Sequence, residues 1–133
     1  MSELTRIQIV VCLQSCDLFS FCKAEEILRI AGITHERPIK AGEKIYERNG
    51  PSEMLYALVH GSVRLARPGG EPSTVGPLQT FGVREILCGR LRAEDAVAEE
   101  DTLVLAVEAE DFFDLLANNI DIVRALFRHL LED

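Results

Sequence analysis

Residues 54–67 read Met-Leu-Tyr-Ala-Leu-Val-His-Gly-Ser-Val-Arg-Leu-Ala-Arg, and this stretch decides the fold class. On either side of Gly61-Ser62 the sequence has a period of two, so that every second side chain would lie on the same face. This is the pattern of a β-strand, whose successive residues point to opposite faces. Gly61-Ser62 itself is a turn signal. The stretch therefore predicts two β-strands joined by a tight turn as a β-hairpin.

Sequence patterns typical of β-strands continue in both directions from this stretch. Upstream, Ile39 and Ile45-Tyr46 flank Ala41-Gly42-Glu43, which predicts a strand, a turn and a second strand. Downstream, the apolar residues 103–107 predict a buried strand. Short strands between glycine-rich turns are typical of a jelly roll or a barrel, and we place this β region at about residues 33–108.

Both ends of the chain have helical patterns. We expect N-terminal helices over about residues 3–31, with Gly32 as the stop, and an apolar face in the first helix formed by Leu4, Ile7, Val11 and Leu13. Two amphipathic C-terminal helices are predicted over about residues 109–131, separated by Asn118-Asn119. The whole chain, residues 1–133, is predicted to form one domain.

Composition excludes several classes of protein. The 133 residues include 22 acidic and 14 basic side chains, for a formal net charge of −8, so a uniformly basic nucleic-acid binder is disfavoured. No apolar stretch approaches the ~20 residues that span a bilayer, and no secretory signal is present, so we expect no membrane insertion. The uneven spacing of four cysteines indicates free thiols in a reducing, cytoplasmic setting. Nucleophile-elbow, Walker and dinucleotide motifs are missing, which argues against an enzyme, and we assign no catalytic residue.

Several short motifs, in this order and spacing, resemble the cyclic nucleotide-binding domain family over roughly residues 13–131. The resemblance implies a mainly β fold: an eight-stranded jelly roll or β-roll of the cupin-like double-stranded β-helix type, flanked by helices at both ends. The motifs are Leu18-Phe19-Ser20 before Glu25-Glu26-Ile27, Ala41-Gly42-Glu43, Glu53-Met54-Leu55-Tyr56, Gly61-Ser62-Val63-Arg64-Leu65, Phe81-Gly82, Glu100-Asp101-Thr102 and Phe112-Phe113-Asp114-Leu115-Leu116.

The same resemblance implies a phosphate-binding cassette that begins at Phe81-Gly82. In the family a short helix follows this pair, and its N-terminal N–H groups cradle the cyclic phosphate. Arg92 follows Val83 by nine residues, about the spacing between the family's ribose-binding glutamate and its phosphate-binding arginine. The candidate ligand-binding residues are Phe81, Gly82, Val83, Arg84, Glu85, Arg92 and Ala93.

This cassette departs from the family pattern at several positions. Val83 stands where the family has the glutamate that accepts the ribose hydroxyl, and leaving a buried hydroxyl unpaired costs about 1–3 kcal/mol. Glu85 stands where the family prefers a small residue, and its carboxylate would repel a phosphate. Glu94-Asp95 add two further acidic groups. Arg92 is our candidate for an anion contact; the alternative is a surface arginine paired with Glu94 or Asp95.

The cysteines and histidines are further candidate ligands. Cys12, Cys16, Cys22 and Cys88 invite comparison with iron–sulfur sensors built on this fold, but their spacing is looser, and Cys16 and Cys22 stand at apolar core positions. No CxxC pair suggests zinc, and no two histidines have ligand spacing. We therefore predict no metal site and interpret the cysteines as structural.

Together these features predict a non-enzymatic regulatory or sensor module with weakened or lost cyclic nucleotide binding. The expected ligand, if any, is a cyclic nucleotide or another small anion. The alternatives are a ligand-free docking domain within a larger protein, which would bind another domain or a second copy of itself through the C-terminal helices, and a cysteine-based redox or iron–sulfur sensor. No DNA-reading helices follow the β region, so we expect no DNA binding by this chain alone.

Overall fold

The structure is a computed structural model that describes residues 4–132. Residues 1–3, and with them the predicted helix start at residue 3, lie outside the described residues. The helices are α1 (Arg6–Ser15), α2 (Ala24–Ala31), α3 (Val83–Cys88), α4 (Ala109–Ala117) and α5 (Ile120–Leu131). The strands are β1 (Thr34–Ile39), β2 (Lys44–Tyr46), β3 (Met54–His60), β4 (Val63–Ala66), β5 (Ser73–Val75), β6 (Thr80–Phe81), β7 (Asp95–Ala98) and β8 (Thr102–Glu108).

The strands form two antiparallel four-stranded sheets. One has the order β1-β8-β3-β6 and the other the order β2-β7-β4-β5. The predicted fold class, a β-roll with helices at both ends, is confirmed. α4 and α5 lie on either side of Asn118-Asn119, where the sequence predicted a break.

The predicted hairpin at Gly61-Ser62 is wrong. β3 pairs with β6 and β8 in the first sheet, whereas β4 pairs with β5 and β7 in the second. Gly61, with φ +106°, therefore carries the chain from one sheet to the other. Alternation predicts which faces a strand presents, but it does not identify the strand that pairs with it.

The first sheet is buried on both faces, and this produces two hydrophobic cores. On one face Leu55 and Leu105 pack against the helices, together with Phe112 of α4. On the other face Leu58 and Val104 pack between the two sheets. β3 and β8 are therefore almost uniformly apolar, as expected of strands that contact protein on both sides.

Only part of the predicted apolar face of the N-terminal helix is buried: Leu13 lies in the core and Leu4 packs against it, but Ile7 and Val11 are exposed. α1 is capped by Thr5, whose hydroxyl accepts the Gln8 N–H at 3.1 Å. Its buried residues are Cys12 and Leu13, while Ile7 is 76% exposed and Val11 is also exposed. The spacing of Ile7 and Val11 is helical, but apolar residues lie on more than one side of this helix and the pattern does not determine which side is buried.

Within residues 4–132, no helix combines the length and the apolar character that crossing a membrane requires.

Substitution of Gly61 by alanine tests the crossing between the sheets. An added Cβ would lie 2.7 Å from the Cα of Thr102, which is backbone and cannot move aside. Gly42→Ala is the matched control, because Gly42 also has a positive φ, +85°, but open space around it. We expect Gly42→Ala to lower the free energy of unfolding by about 1 kcal/mol and Gly61→Ala by at least about 2 kcal/mol more, measured by urea denaturation. Equal losses of unfolding free energy in the two variants would contradict the close approach of Gly61 to Thr102.

Candidate functional site

Residues 81–93 form a short helix and a return segment between two strands. β6 ends at Phe81, and Gly82 turns the chain into α3 with a left-handed φ of +77°. Gly89, with φ +65°, ends α3. Glycine adopts this conformation without strain, so the two glycines set the length of the helix. The chain then runs through Arg92 into β7.

Arg92 is buried at the centre of this segment, with 2% of its surface exposed. Its backbone is held by residues 49 and 50: the Asn49 N–H donates to the Arg92 carbonyl at 2.8 Å, and the Arg92 N–H donates to the Gly50 carbonyl at 2.9 Å. Its guanidinium carbon lies 4.0 Å from the centre of the Tyr46 ring. The side chain is therefore fixed by backbone pairing and by a cation–π contact.

The guanidinium donates its hydrogen bonds to protein oxygens. Nη1 donates to the Gly82 carbonyl at 2.8 Å and to Oε1 of Glu85 at 3.1 Å, and Nη2 donates to the Met54 carbonyl. Nε is the one buried side-chain polar atom within residues 4–132 that has no hydrogen-bond partner. An ion pair with Glu85 thus occupies the side of Arg92 that faces α3. A buried guanidinium needs such acceptors, because an unpaired buried charge is strongly destabilising.

The suggested pairing of Arg92 with Glu94 or Asp95 at the surface is wrong. Asp95 accepts the backbone N–H of Arg48 at 2.8 Å, and Glu94 has no hydrogen-bond or ion-pair partner within residues 4–132. The partner is Glu85, seven residues before Arg92. The turn of α3 brings these two residues together, and the sequence contained no local signal of that pairing.

The remaining candidate residues have different surroundings. Val83 is buried in the helix-side core, and Phe81 is stacked on Tyr56 with ring centres 5.0 Å apart. Arg84 and Ala93 are exposed, and Arg84 has no partner in the described part of the chain. Of the seven candidates, side-chain hydrogen bonds join only Arg92, Glu85 and Gly82 to one another.

A cavity of about 260 Å³ lies beside the start of α3. Glu85 and Glu94 line it, and so do Arg84 and His129. Arg92 is not part of this lining, although Gly82 and Glu85, which accept its hydrogen bonds, are. The charged groups that a guest would meet are therefore two carboxylates and one exposed arginine.

Tyr46 also lines this cavity and was not identified from the sequence. Burial raises the pKa of its phenol well above the ordinary value; the nearby Arg92 partly offsets this effect, and Glu85 adds to it. The phenol therefore stays neutral at physiological pH, and the carboxylate of Glu85 is the anion that balances Arg92. His129 and Leu130 bring α5 to the same cavity, a contact between distant segments that the spacing of α5 did not indicate.

A larger apolar groove of about 780 Å³ separates α3 from the end of α5. Leu87, Leu91, Phe127 and Leu131 line it and are exposed, Leu131 at 80%. The sequence predicted that α5 packs through an apolar face, and of that face Leu126 is buried against the core. The rest of it borders this groove.

The four cysteines are free. Cys12 and Cys16 are buried in the helix-side core, Cys22 is half-buried and Cys88 is exposed on α3. The hydrogen bond with Cys12 and burial raise the pKa of Cys16 far above the ordinary thiol value. Within residues 4–132 no group of three or more histidine, cysteine or acidic residues could hold a metal ion.

Comparison with known proteins gives a consistent result. The model of the cyclic nucleotide-binding domain family matches residues 36–119. The cyclic AMP receptor protein of Thermus thermophilus is 33% identical over 104 residues, which are 74% of this chain and 48% of that protein. This chain thus spans about half the length of that curated relative.

Solved structures share the fold at lower identity. The N-terminal domain of a transcriptional regulator from Streptomyces coelicolor A3(2) superposes with a TM-score of 0.78 at 22% identity, covering 90% of this chain and 87% of that one. The regulatory subunit of a cAMP-independent protein kinase A from Trypanosoma cruzi, bound to guanosine, superposes with a TM-score of 0.77 at 20% identity, covering 92% and 45%.

Arg92→Ala tests how far the site depends on the buried guanidinium. It leaves Glu85 and two carbonyls without their donor, so we expect a loss of about 3–5 kcal/mol in the free energy of unfolding. Arg84→Ala removes the same charge from an exposed, unpaired side chain and should change stability by less than about 0.5 kcal/mol. Urea denaturation measures the free energy of unfolding of both variants. If Arg92→Ala loses no more stability than Arg84→Ala does, the contacts of Arg92 do not stabilise the fold.

The reactivity of the thiols tests their burial. At pH 8, iodoacetamide should modify Cys88 first and Cys22 more slowly, because burial raises the pKa of Cys22 to about 11 and the thiolate is the reactive form. Cys12 and Cys16 should react only after unfolding. Mass spectrometry of timed samples gives the order, and rapid modification of Cys16 in the folded protein would contradict it.

Proposed function

Because this chain belongs to the cyclic nucleotide-binding domain family, we propose that it is a non-enzymatic regulatory module in which Glu85 neutralises the arginine that would hold a ligand phosphate. The observation that carries this proposal is the 3.1 Å ion pair between Glu85 and a 2% exposed Arg92. Binding of ordinary cyclic nucleotides is then weakened or lost.

Competition between Glu85 and an incoming phosphate is the physical basis of this weakening. A phosphate would have to displace the carboxylate from the guanidinium or bind beside it, and like charges repel strongly where water is excluded. Val83 adds a second loss, because its side chain offers no acceptor for a ribose hydroxyl. Both effects act against the anionic ligand that the family fold usually accommodates.

Contact between the cavity and α5 supports a regulatory role. His129 and Leu130 border the cavity, so a guest there would contact α5 and the start of α3 together. A ligand that prefers one position of α5 shifts the equilibrium towards that position. The free cysteines support a reducing, cytoplasmic setting for this module.

A ligand-free docking domain is the second candidate function. The exposed apolar side chains along the groove between α3 and α5 favour it, since such patches often mark interaction sites. The partner would be another domain, another protein or a second copy of this chain. A cysteine-based sensor has less support, because Cys12 and Cys16 are buried in the core.

Glu85→Ala tests the proposed neutralisation. Removing the carboxylate frees one donor of Arg92, and we expect the affinity for 3′,5′-cyclic AMP to rise at least about tenfold, with a further rise in Val83→Glu/Glu85→Ala. Isothermal titration calorimetry measures the affinity, and thermal shift with and without cyclic AMP gives a second readout.

Glu94→Ala is the matched control, because it removes the same charge from the cavity but leaves Arg92 paired. It should raise the affinity for cyclic AMP less than Glu85→Ala does. Glu85→Gln, which keeps an acceptor for Arg92, covers the case in which Glu85→Ala unfolds, and it should give an intermediate gain. If none of the folded Glu85 variants gains affinity, the proposed role of Glu85 is wrong.

A further inference from the structure

A further cavity, of about 220 Å³, is lined by residues from both sheets. Arg37 of β1 and Tyr56 of β3 line it from the first sheet, and Tyr46 of β2 lines it from the second. Tyr46 also lines the cavity beside α3, but Arg37 and Arg92 line only this inter-sheet cavity. A guest here would therefore meet different charged groups from a guest beside α3.

Arg37 is a half-buried arginine without a carboxylate partner. It lies opposite Val104 in the register of β1 and β8, and Val104 belongs to the core between the sheets, so the Arg37 side chain lies on that inner face. Its guanidinium is within hydrogen-bonding reach of the Tyr56 hydroxyl, and no carboxylate among residues 4–132 forms an ion pair with it. The neighbouring Glu36 lies on the opposite face, where it accepts the Leu4 N–H at 2.9 Å. A positive charge partly withdrawn from water would be stabilised by an anion at this point.

Arg92 borders the same cavity and is a second, independent sign of a missing partner. Only 2% of its surface is exposed, and its Nε has no hydrogen-bond partner. Glu53 is the one acidic residue of the lining; it is exposed and forms no ion pair within the described part of the chain. Two arginines against one glutamate leave this lining with a net positive charge, in a chain whose formal net charge is −8.

Two phenols and three apolar side chains complete the lining. Burial raises the pKa of Tyr46 and of Tyr56, so both hydroxyls keep their protons at physiological pH and can donate hydrogen bonds. Ile45, Pro51 and Met54 form apolar walls. Because small-molecule sites usually have volumes above about 300 Å³, only a compact guest fits. A small apolar body that carries one planar anionic group matches these surroundings.

We propose that the inter-sheet cavity binds a small organic monocarboxylate, with its carboxylate on Arg37 and its apolar body against Pro51 and Met54. The planar guanidinium can donate two parallel hydrogen bonds to a carboxylate. Glu53 disfavours guests of higher negative charge, because its own carboxylate repels them. This site is separate from that of the proposed function, so the two stand or fall independently.

Benzoate is the probe, and benzamide is its uncharged counterpart of nearly the same shape. In ¹H–¹⁵N NMR titrations of the wild-type chain, benzoate should shift the amide signals of Arg37 and Tyr56 with a dissociation constant of about 1 mM or lower, and benzamide should bind at least about tenfold more weakly. Arg37→Gln should weaken benzoate binding about tenfold, because charge-assisted hydrogen bonds are lost. Glu53→Gln removes a repelling charge and should strengthen it about twofold or more.

Arg84→Gln is the matched control, because it removes the same charge from an exposed arginine that lines the cavity beside α3 instead. It should leave benzoate binding unchanged. The inference is overturned if benzoate does not bind at about 20 mM, if benzamide binds as tightly, or if Arg84→Gln weakens binding and Arg37→Gln does not. Circular dichroism shows whether Arg37→Gln folds. If it does not, Glu53→Gln decides, and an affinity for benzoate no higher than that of the wild type overturns the inference.

Discussion

A guanidinium buried in a protein must have its charge and its N–H groups satisfied, and the segment from Phe81 to Arg92 is organised around that requirement. Arg92 joins the segment from Gly82 to Glu85 to the start of β3 at Met54, which is 38 residues from Arg92 in sequence. The approach of Gly82 requires glycine, because a Cβ there would lie 3.0 Å from Nη1.

The two-sided burial of the first sheet connects this site to the terminal helices. Val83 and Ile86 of α3 belong to the same helix-side core as Phe112 and Leu126 of the C-terminal helices. Close-packed cores change shape little without rearrangement of their neighbours. α3 and the two C-terminal helices therefore contribute to one continuous core.

Features with a strong local signal could be predicted from the sequence. Alternation identified strands in the middle of the chain, and Asn118-Asn119 marked the break between α4 and α5. The predictions that were wrong depend on contacts between elements that the local sequence does not specify. The pairing partner of β3 depends on where Gly61 directs the chain, and the buried face of α1 depends on the elements that cover Cys12 and Leu13. The partner of Arg92 depends on the course of α3, because Glu85 approaches only through the turn of that helix.

The arginine of this cassette has a structural role that does not depend on a ligand. With Glu85, Gly82 and Met54 as partners, Arg92 would be retained in a chain that never binds a phosphate, because its loss would leave buried acceptors unpaired. Its presence therefore carries little information about ligand binding. The informative positions are those that line the cavity: Val83, which offers no polar group, and Glu94 and Arg84, whose charged groups have no partner within residues 4–132. A cassette of this kind can therefore keep its buried arginine for reasons of charge and hydrogen bonding alone.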